Sequence, residues 1–348
     1  MDFKLLSKLT EAFGVPSEEH EIAGVMVEEF ARIGYKAKLD AMGNVVAKSP
    51  KAASDPIMVA AHMDEIGLMV KFISDKGFLR FIKVGGIDDR TLINQRVVIP
   101  TPSGKIYGVI GHKPPHVQKK GSERRSPEAK DLFIDVGAKS RKEAEKIGIR
   151  IGTPVGFDIT LRQLTNGRIT GKALDDRVGC YLLLEAAKAL KNSNVVLVGT
   201  VQEEVSMFGK GAAMSAYHLQ PRAFIAVDTA VAGDHPEISE EDTSGVGVDK
   251  GPTLTLVEAS AIGNVADRTL REHFMETARK ARIPLQLEVV EGGATDAATV
   301  YSVRGGIPSI AIGVPTRYIH SNVSVCSTKD IEKTLALLVK AVQTMPKK

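Results

Sequence analysis

Imidazoles and carboxylates stand at four points of this sequence, each shortly after an apolar run. His62 and Asp64 follow residues 57–61, Glu203 and Glu204 follow 195–201, Asp228 follows 223–227, and His320 lies soon after 309–314. A further acidic pair, Asp175 and Asp176, heads a segment with helical spacing. Imidazole and carboxylate donors without thiolate suit a divalent cation: zinc, cobalt or manganese. Where two such ions lie ~3.5–4 Å apart, one carboxylate must bridge them, and the Asp175–Asp176 pair can supply it. A pair of ions would polarise a carbonyl and lower the pKa of a shared water, whose proton a neighbouring carboxylate takes. Glu203, beside the candidate ligand Glu204, is the expected base. Asp64 is expected to accept a hydrogen bond from the second ring nitrogen of His62 and so fix its tautomer.

Each feature alone has an ordinary explanation: a turn histidine, a helix-capping acidic pair, a solvated strand end, an Asx-turn. One binuclear centre accounts for all of them together.

For such residues to meet, the apolar runs must lie side by side with one polarity. Open α/β sheets place ligands outside the carboxyl ends of their strands. From Leu174 onward the pattern alternates in that way. Helices are predicted over 175–191, 211–219, 265–281 and 329–343, and strands over 195–201, 223–227, 285–290 and 309–314. Near the start, an amphipathic helix precedes a second that Ser17 caps and Gly34 stops; a hairpin at 36–39 and 44–48 and a buried strand at 57–61 follow. Between 68 and 161 short β-like segments are broken by Gly and Pro, which reads as an inserted β-rich domain. Residues 112–131 within it read as a long mobile loop, followed by a helix with capping-box spacing at Ser140 and Glu143. The expected architecture is a discontinuous catalytic α/β domain (1–67 plus 162–348), with a mixed, mostly parallel sheet flanked by helices, and an inserted β-rich domain (68–161).

Composition excludes several classes. The chain has 46 Lys and Arg against 42 Asp and Glu, a net charge of +4 that is too small to imply a nucleic-acid partner. There is no signal-peptide core and no apolar run of membrane length, so no membrane partner and a cytoplasmic location are expected. Two cysteines, Cys180 and Cys326, make neither a disulfide framework nor a thiolate zinc site.

The segments AHMDEIG from Ala61, GKALDDRVG from Gly171, QEEVS from Gln202, VDTAVAGD from Val227, EGGATDA from Glu291 and PTRYIHS from Pro315 resemble, in this order, the tetrahedral (TET) aminopeptidase family of binuclear-metal peptidases. The resemblance spans essentially the whole chain. It implies a zinc-peptidase-like sheet, one metal on His62 and Asp228, another on Glu204 and His320, Asp175 bridging, Glu203 as general base and Asp64 steering His62. It also implies short peptide substrates, subunit pairing through the inserted domain, and a hollow tetrahedral dodecamer with inward-facing sites. Ser206 departs from the usual QEEVG.

A related metal-dependent deacylase or carboxypeptidase, or a metal-stabilised assembly protein without catalysis, are the competing readings. The spare base Glu203 speaks against the last. An endoglucanase fits poorly, because the chain has no Trp to form a sugar-stacking platform. Specificity stays open: the acidic stretch 232–242 either lines a pocket that favours basic N-terminal residues or is an exposed loop.

Overall fold

The computed structural model describes residues 1–117, 126–206 and 210–346. Much of the expected 112–131 loop, with Lys119, Lys120, Arg124 and Arg125, lies outside the described residues.

The apolar runs build the centre of one large sheet. The strands Val195–Thr200, Ile57–His62, Ala223–Val231 and Ser309–Arg317 lie adjacent in that order and run parallel. Successive side chains point to opposite faces, and both faces are buried. Ile57, Val59, Leu197, Ile225 and Ile312 enter one core, while Met58, Ala60, Val196, Val198 and Phe224 enter the other. Burial on both sides is why these strands read as unbroken apolar runs rather than alternating ones. The edges are antiparallel: Val45–Lys48 pairs with Val195–Thr200, and both Thr253–Val257 and Ser324–Ser327 pair with Ser309–Arg317. Gln286–Val289 adds a parallel strand beyond Thr253–Val257.

Helix Leu174–Ala189 crosses one face and packs on Phe3–Glu11, His20–Ile33 and Thr328–Thr344. Gly211–Leu219 and Ala297–Val300 cover the other. Two helix starts differ from the expected ones. Ser17 adopts a left-handed φ of 73° and Glu19 takes the N-cap position without a capping side chain, because Glu19 turns inward and is buried. The 265–281 helix begins at Arg268, where Asp267 accepts the backbone N–H of Leu270. At Arg141–Lys146, Ser140 caps as expected, but Glu143 reaches back to the backbone N–H of Lys139 rather than Ser140.

Beyond His62 the chain leaves the sheet and closes a six-stranded barrel. Its order is Gly67–Ile73, Leu79–Val84, Phe133–Asp135, Gly104–Gly111, Arg96–Thr101 and Pro154–Phe157. Leu68, Leu79, Phe81, Val97, Ile99 and Ile134 fill its interior. The barrel meets the sheet domain through Phe13, Val15 and Val98. Close backbone approach at this junction requires glycine, since a Cβ on Gly156 would lie 2.8 Å from the Phe13 ring. No helix among the described residues is long and apolar enough to cross a membrane.

Candidate metal centre

The parallel strands deliver their polar residues to one end. His62 closes Ile57–His62 and pairs in register with Thr200, just before the Glu203–Glu204 turn. Asp228 sits opposite Gly313 within Ala223–Val231, past the point where that strand stops pairing with Ile57–His62. This parting opens the space into which His62, Asp175 and Asp228 turn.

Two sets of three donors form there, each with atoms within 4.8 Å of one another: His62, Asp175 and Asp228, and Asp175, Glu204 and His320. Asp175 belongs to both. Its Oδ1 lies 3.0 Å from Nε2 of His62 and its Oδ2 3.6 Å from Nε2 of His320, whose ring also approaches Glu204 Oε2 at 3.2 Å. Glu203 Oε2 is 3.9 Å from His62 Nε2. Asp175 and Asp176 lie within the helix span Leu174–Ala189 but have non-helical dihedrals, and the peptide bond between them is cis. Asp176 faces inward, taking the backbone N–H of Gly179 at 2.8 Å.

Asp64 stands beside His62 and also reaches a second element. Its backbone carbonyl, at 3.1 Å, is the nearest acceptor for His62 Nδ1, while its carboxylate stands 3.6 Å away. The carboxylate instead accepts the backbone N–H groups of Glu203 and Glu204 at 3.0 and 3.1 Å.

The electrostatics fit a cation site. Burial, reinforced by neighbouring carboxylates, pushes Glu203, Glu204 and Asp228 well above the usual carboxylate range. Burial would depress His62, but its hydrogen bond to Asp175 and the nearby carboxylate of Asp64 hold it raised instead. Asp175, despite burial, is lowered by His62. Arg90 is the one Lys or Arg among the described residues lining the cleft, and Asp88 occupies its guanidinium at 3.0 and 2.5 Å. Four carboxylates, Asp175, Glu203, Glu204 and Asp228, thus face two imidazoles and no Lys or Arg ion-pair partner among the described residues, a donor set that suits divalent cations.

Behind the donors, Lys172 Nζ reaches both oxygens of buried Glu65 at 2.8 and 2.7 Å, with Arg177 3.5 Å away. This tie joins the segment carrying His62 to the segment carrying Asp175.

Above the donors opens a cavity of about 970 Å³ between sheet and barrel. Gly292 and Gly293 line it, as does His235, whose ring packs on Tyr318 at 4.9 Å. Only part of 232–242 reaches it, through His235, Ile238 and Asp242. His112 and His116 do not line it. Ser206 does, and among positive-φ residues it is not found, so its backbone has no need of glycine. Sequence reasoning missed Gly86, on which a Cβ would lie 2.9 Å from His320 Nδ1, and the buried Glu258 and Glu288 of the cavity wall. A Gly–Gly pair at 85–86 was the available signal for the first.

Carboxylate and imidazole donors gathered at the carboxyl ends of a parallel sheet, under a cleft large enough for a peptide end, define a hydrolase. The profile of the M42 glutamyl aminopeptidase family matches residues 43–337. The chain belongs to that family. It is 34% identical to the lysyl aminopeptidase of Pyrococcus furiosus over 345 residues, covering 97% of this chain and 95% of that one. An aminopeptidase from the archaeon Desulfurococcus kamchatkensis superposes with a TM-score of 0.91 at 40% identity, covering 97% and 93% of the two chains. The TET1 peptidase of Pyrococcus horikoshii, described as able to assemble into a tetrahedron or a large octahedral shell, gives 0.88 at 33% identity over 97% and 98%. The family-level resemblance read from the sequence is thereby matched along nearly the whole chain.

Proposed function

We propose that this protein is an aminopeptidase that removes N-terminal residues from short peptides at a two-metal centre. The observation that carries this reading is the double membership of Asp175, whose two oxygens face the imidazoles of separate donor sets. His62 and Asp228 would hold one divalent ion, zinc or cobalt with manganese as a further candidate, and Glu204 and His320 the other, with Asp175 shared. When bound, such a pair polarises a scissile carbonyl and lowers the pKa of water at the site.

The chain's own residues do the rest. Glu203, half-buried and belonging to neither donor set, accepts the proton of the attacking water and delivers it to the departing amide nitrogen. Asp64 fixes the Glu203–Glu204 backbone, so base and ligand keep their separation. The cleft walls exclude water and orient the peptide.

The barrel pairs subunits in this reading, and the pairs build a tetrahedral dodecamer with the sites facing inward, in the cytoplasm. Phe72, Ile82, Tyr107 and Val109 leave apolar surface on the barrel that such pairing would cover. The relative from Pyrococcus horikoshii lends support to the assembly.

Hydrolysis of free-amino and N-acylated aminoacyl p-nitroanilides, with metal content measured in parallel, tests the activity. Glu203→Gln is expected to keep two ions per chain and to lose activity by a factor on the order of 10²–10⁴. Undiminished cleavage by that variant would remove Glu203 from the mechanism. Release of acyl groups without cleavage of free-amino substrates would replace the aminopeptidase reading with the deacylase one.

A further inference from the structure

The wall of the cleft formed by the sheet edge carries two buried carboxylates that the proposed chemistry does not use. Glu258 follows Thr253–Val257, and Glu288 lies on Gln286–Val289; both line the cavity that holds the metal donors. They are 2% and 6% exposed. Thr295 Oγ1 donates to Glu258 Oε1 at 2.6 Å and Thr255 Oγ1 to Glu288 Oε1 at 2.5 Å, but Glu258 Oε2 has no hydrogen-bond partner. Neither has a lysine or arginine ion-pair partner among the described residues, and Arg90, the lining guanidinium, is committed to Asp88.

A buried carboxylate without a cation costs free energy in the empty protein, and a ligand that brings the cation recovers it. Burial raises both groups, Glu258 to about 7 with the Glu288 charge contributing. Burial therefore strains both carboxylates until a positive group arrives beside them. Val289, Val290 and Ile238 line the same cavity, so an aliphatic stem could lie against apolar wall while its charged end meets the carboxylates.

We infer that Glu258 and Glu288 form a recognition site for the side chain of a basic N-terminal residue, lysine or arginine, beside the metal centre. The inference takes its substrate from the aminopeptidase reading and adds the side-chain class that the acidic stretch 232–242 left open. An acidic N-terminal side chain meets the same carboxylates as like charges and is disfavoured.

The test compares lysinamide with norleucinamide, which has a similar aliphatic stem but no terminal ammonium, by calorimetric titration of the zinc-loaded protein. Lysinamide is expected to bind at least about tenfold more tightly, a gap that falls below about threefold in Glu258→Gln and Glu288→Gln while norleucinamide binding holds. Equal binding of the two amides by the unaltered protein overturns the inference and needs no variant. A gap that survives in both variants and in the double variant also overturns it, because the ammonium is then read elsewhere. Turnover of lysyl and leucyl p-nitroanilides is recorded on the same samples. A lysinamide preference without any cleavage would keep this pocket and discard the aminopeptidase reading; cleavage without the preference would do the reverse.

Discussion

The carboxylate of Asp64 takes the backbone N–H of Glu203 at 3.0 Å, and its other oxygen takes the next amide along at 3.1 Å. One side chain from the end of the Ile57–His62 strand thereby sets the turn that carries both the proposed base and a proposed ligand. Asn at position 64 can accept only one of these bonds and turns a donor toward the other amide. Asp64→Asn should lower kcat or metal affinity by roughly 10–100-fold, with the Glu204 ion lost before the His62 ion during chelator titration. Loss in the opposite order would return Asp64 to a role centred on His62.

Asp175 and His320 differ in how many donor sets they serve. Asp175→Ala should leave less than one tightly held ion per chain, whereas His320→Ala should retain one. Metal analysis after dialysis distinguishes them, and identical stoichiometry in the two variants would contradict the bridge.

A methyl group at Gly86 would press on His320 from the barrel side, at 2.9 Å from Nδ1. Gly86 has no positive φ, so alanine fits the backbone and the clash is with the ring alone. Gly86→Ala is expected to weaken binding of one of the two ions by about tenfold or more while the thermal transition of the apoprotein stays nearly unchanged. Equal retention of both ions would show that the ring gives way without cost.

The buried Lys172–Glu65 pair predicts an ordering. Glu65→Gln leaves two buried cations, Lys172 and Arg177, facing a neutral group, and should cost about 3–5 kcal/mol. Lys172→Met leaves Glu65 with Arg177 and should cost less. Chemical denaturation of the apoprotein measures both, and a larger loss for Lys172→Met would put the weight of the network on the wrong residue.

Glu258 makes stability depend on pH. Its folded pKa of about 7 lies above the ordinary 4.5 because burial penalises the charged form. For an acid raised on folding, the stabilising contribution is complete below about pH 4.5 and disappears as pH rises to about 7. The penalty above that window is at most about 3 kcal/mol. Glu258→Gln should therefore unfold at a higher temperature than the unaltered protein at pH 8 and show no such advantage at pH 5. An advantage of the same size at both pH values would mean that ionisation of Glu258 is not what limits stability.

The parts of this architecture that were legible in the sequence share one physical cause. Strands buried on both faces are unbroken apolar runs, and a donor such as His62 or Asp228 interrupts them where the core ends. The convergence of the donor residues followed from that interruption. The start of the Leu174–Ala189 helix did not, because acidic residues at a helix head normally cap it, whereas Asp175 and Asp176 have non-helical dihedrals, Asp175 facing the donor sets and Asp176 buried beneath them on the Gly179 N–H. Glu258 and Glu288 were illegible for a related reason: a glutamate beside or within a short edge strand looks solvated until another element covers it. Here the loop carrying Thr295 lies over Glu258. Sequence adjacency made the place of Asp64 beside His62 legible, 3.6 Å from Nδ1, but not the two amides it binds, which lie 139 and 140 residues away.

Among the described residues, all the donor side chains come from the sheet domain; the barrel lends the cleft a wall, through Gly86, Asp88, Arg90 and Thr91, and no donor. Reaction machinery and entrance are therefore separately heritable. Descendants of this protein can exchange the barrel rim, and with it what is admitted, while the proposed ion-holding constellation passes on unaltered. The narrow exception is Gly86, where the rim comes so near a donor that a Cβ would lie 2.9 Å from His320 Nδ1.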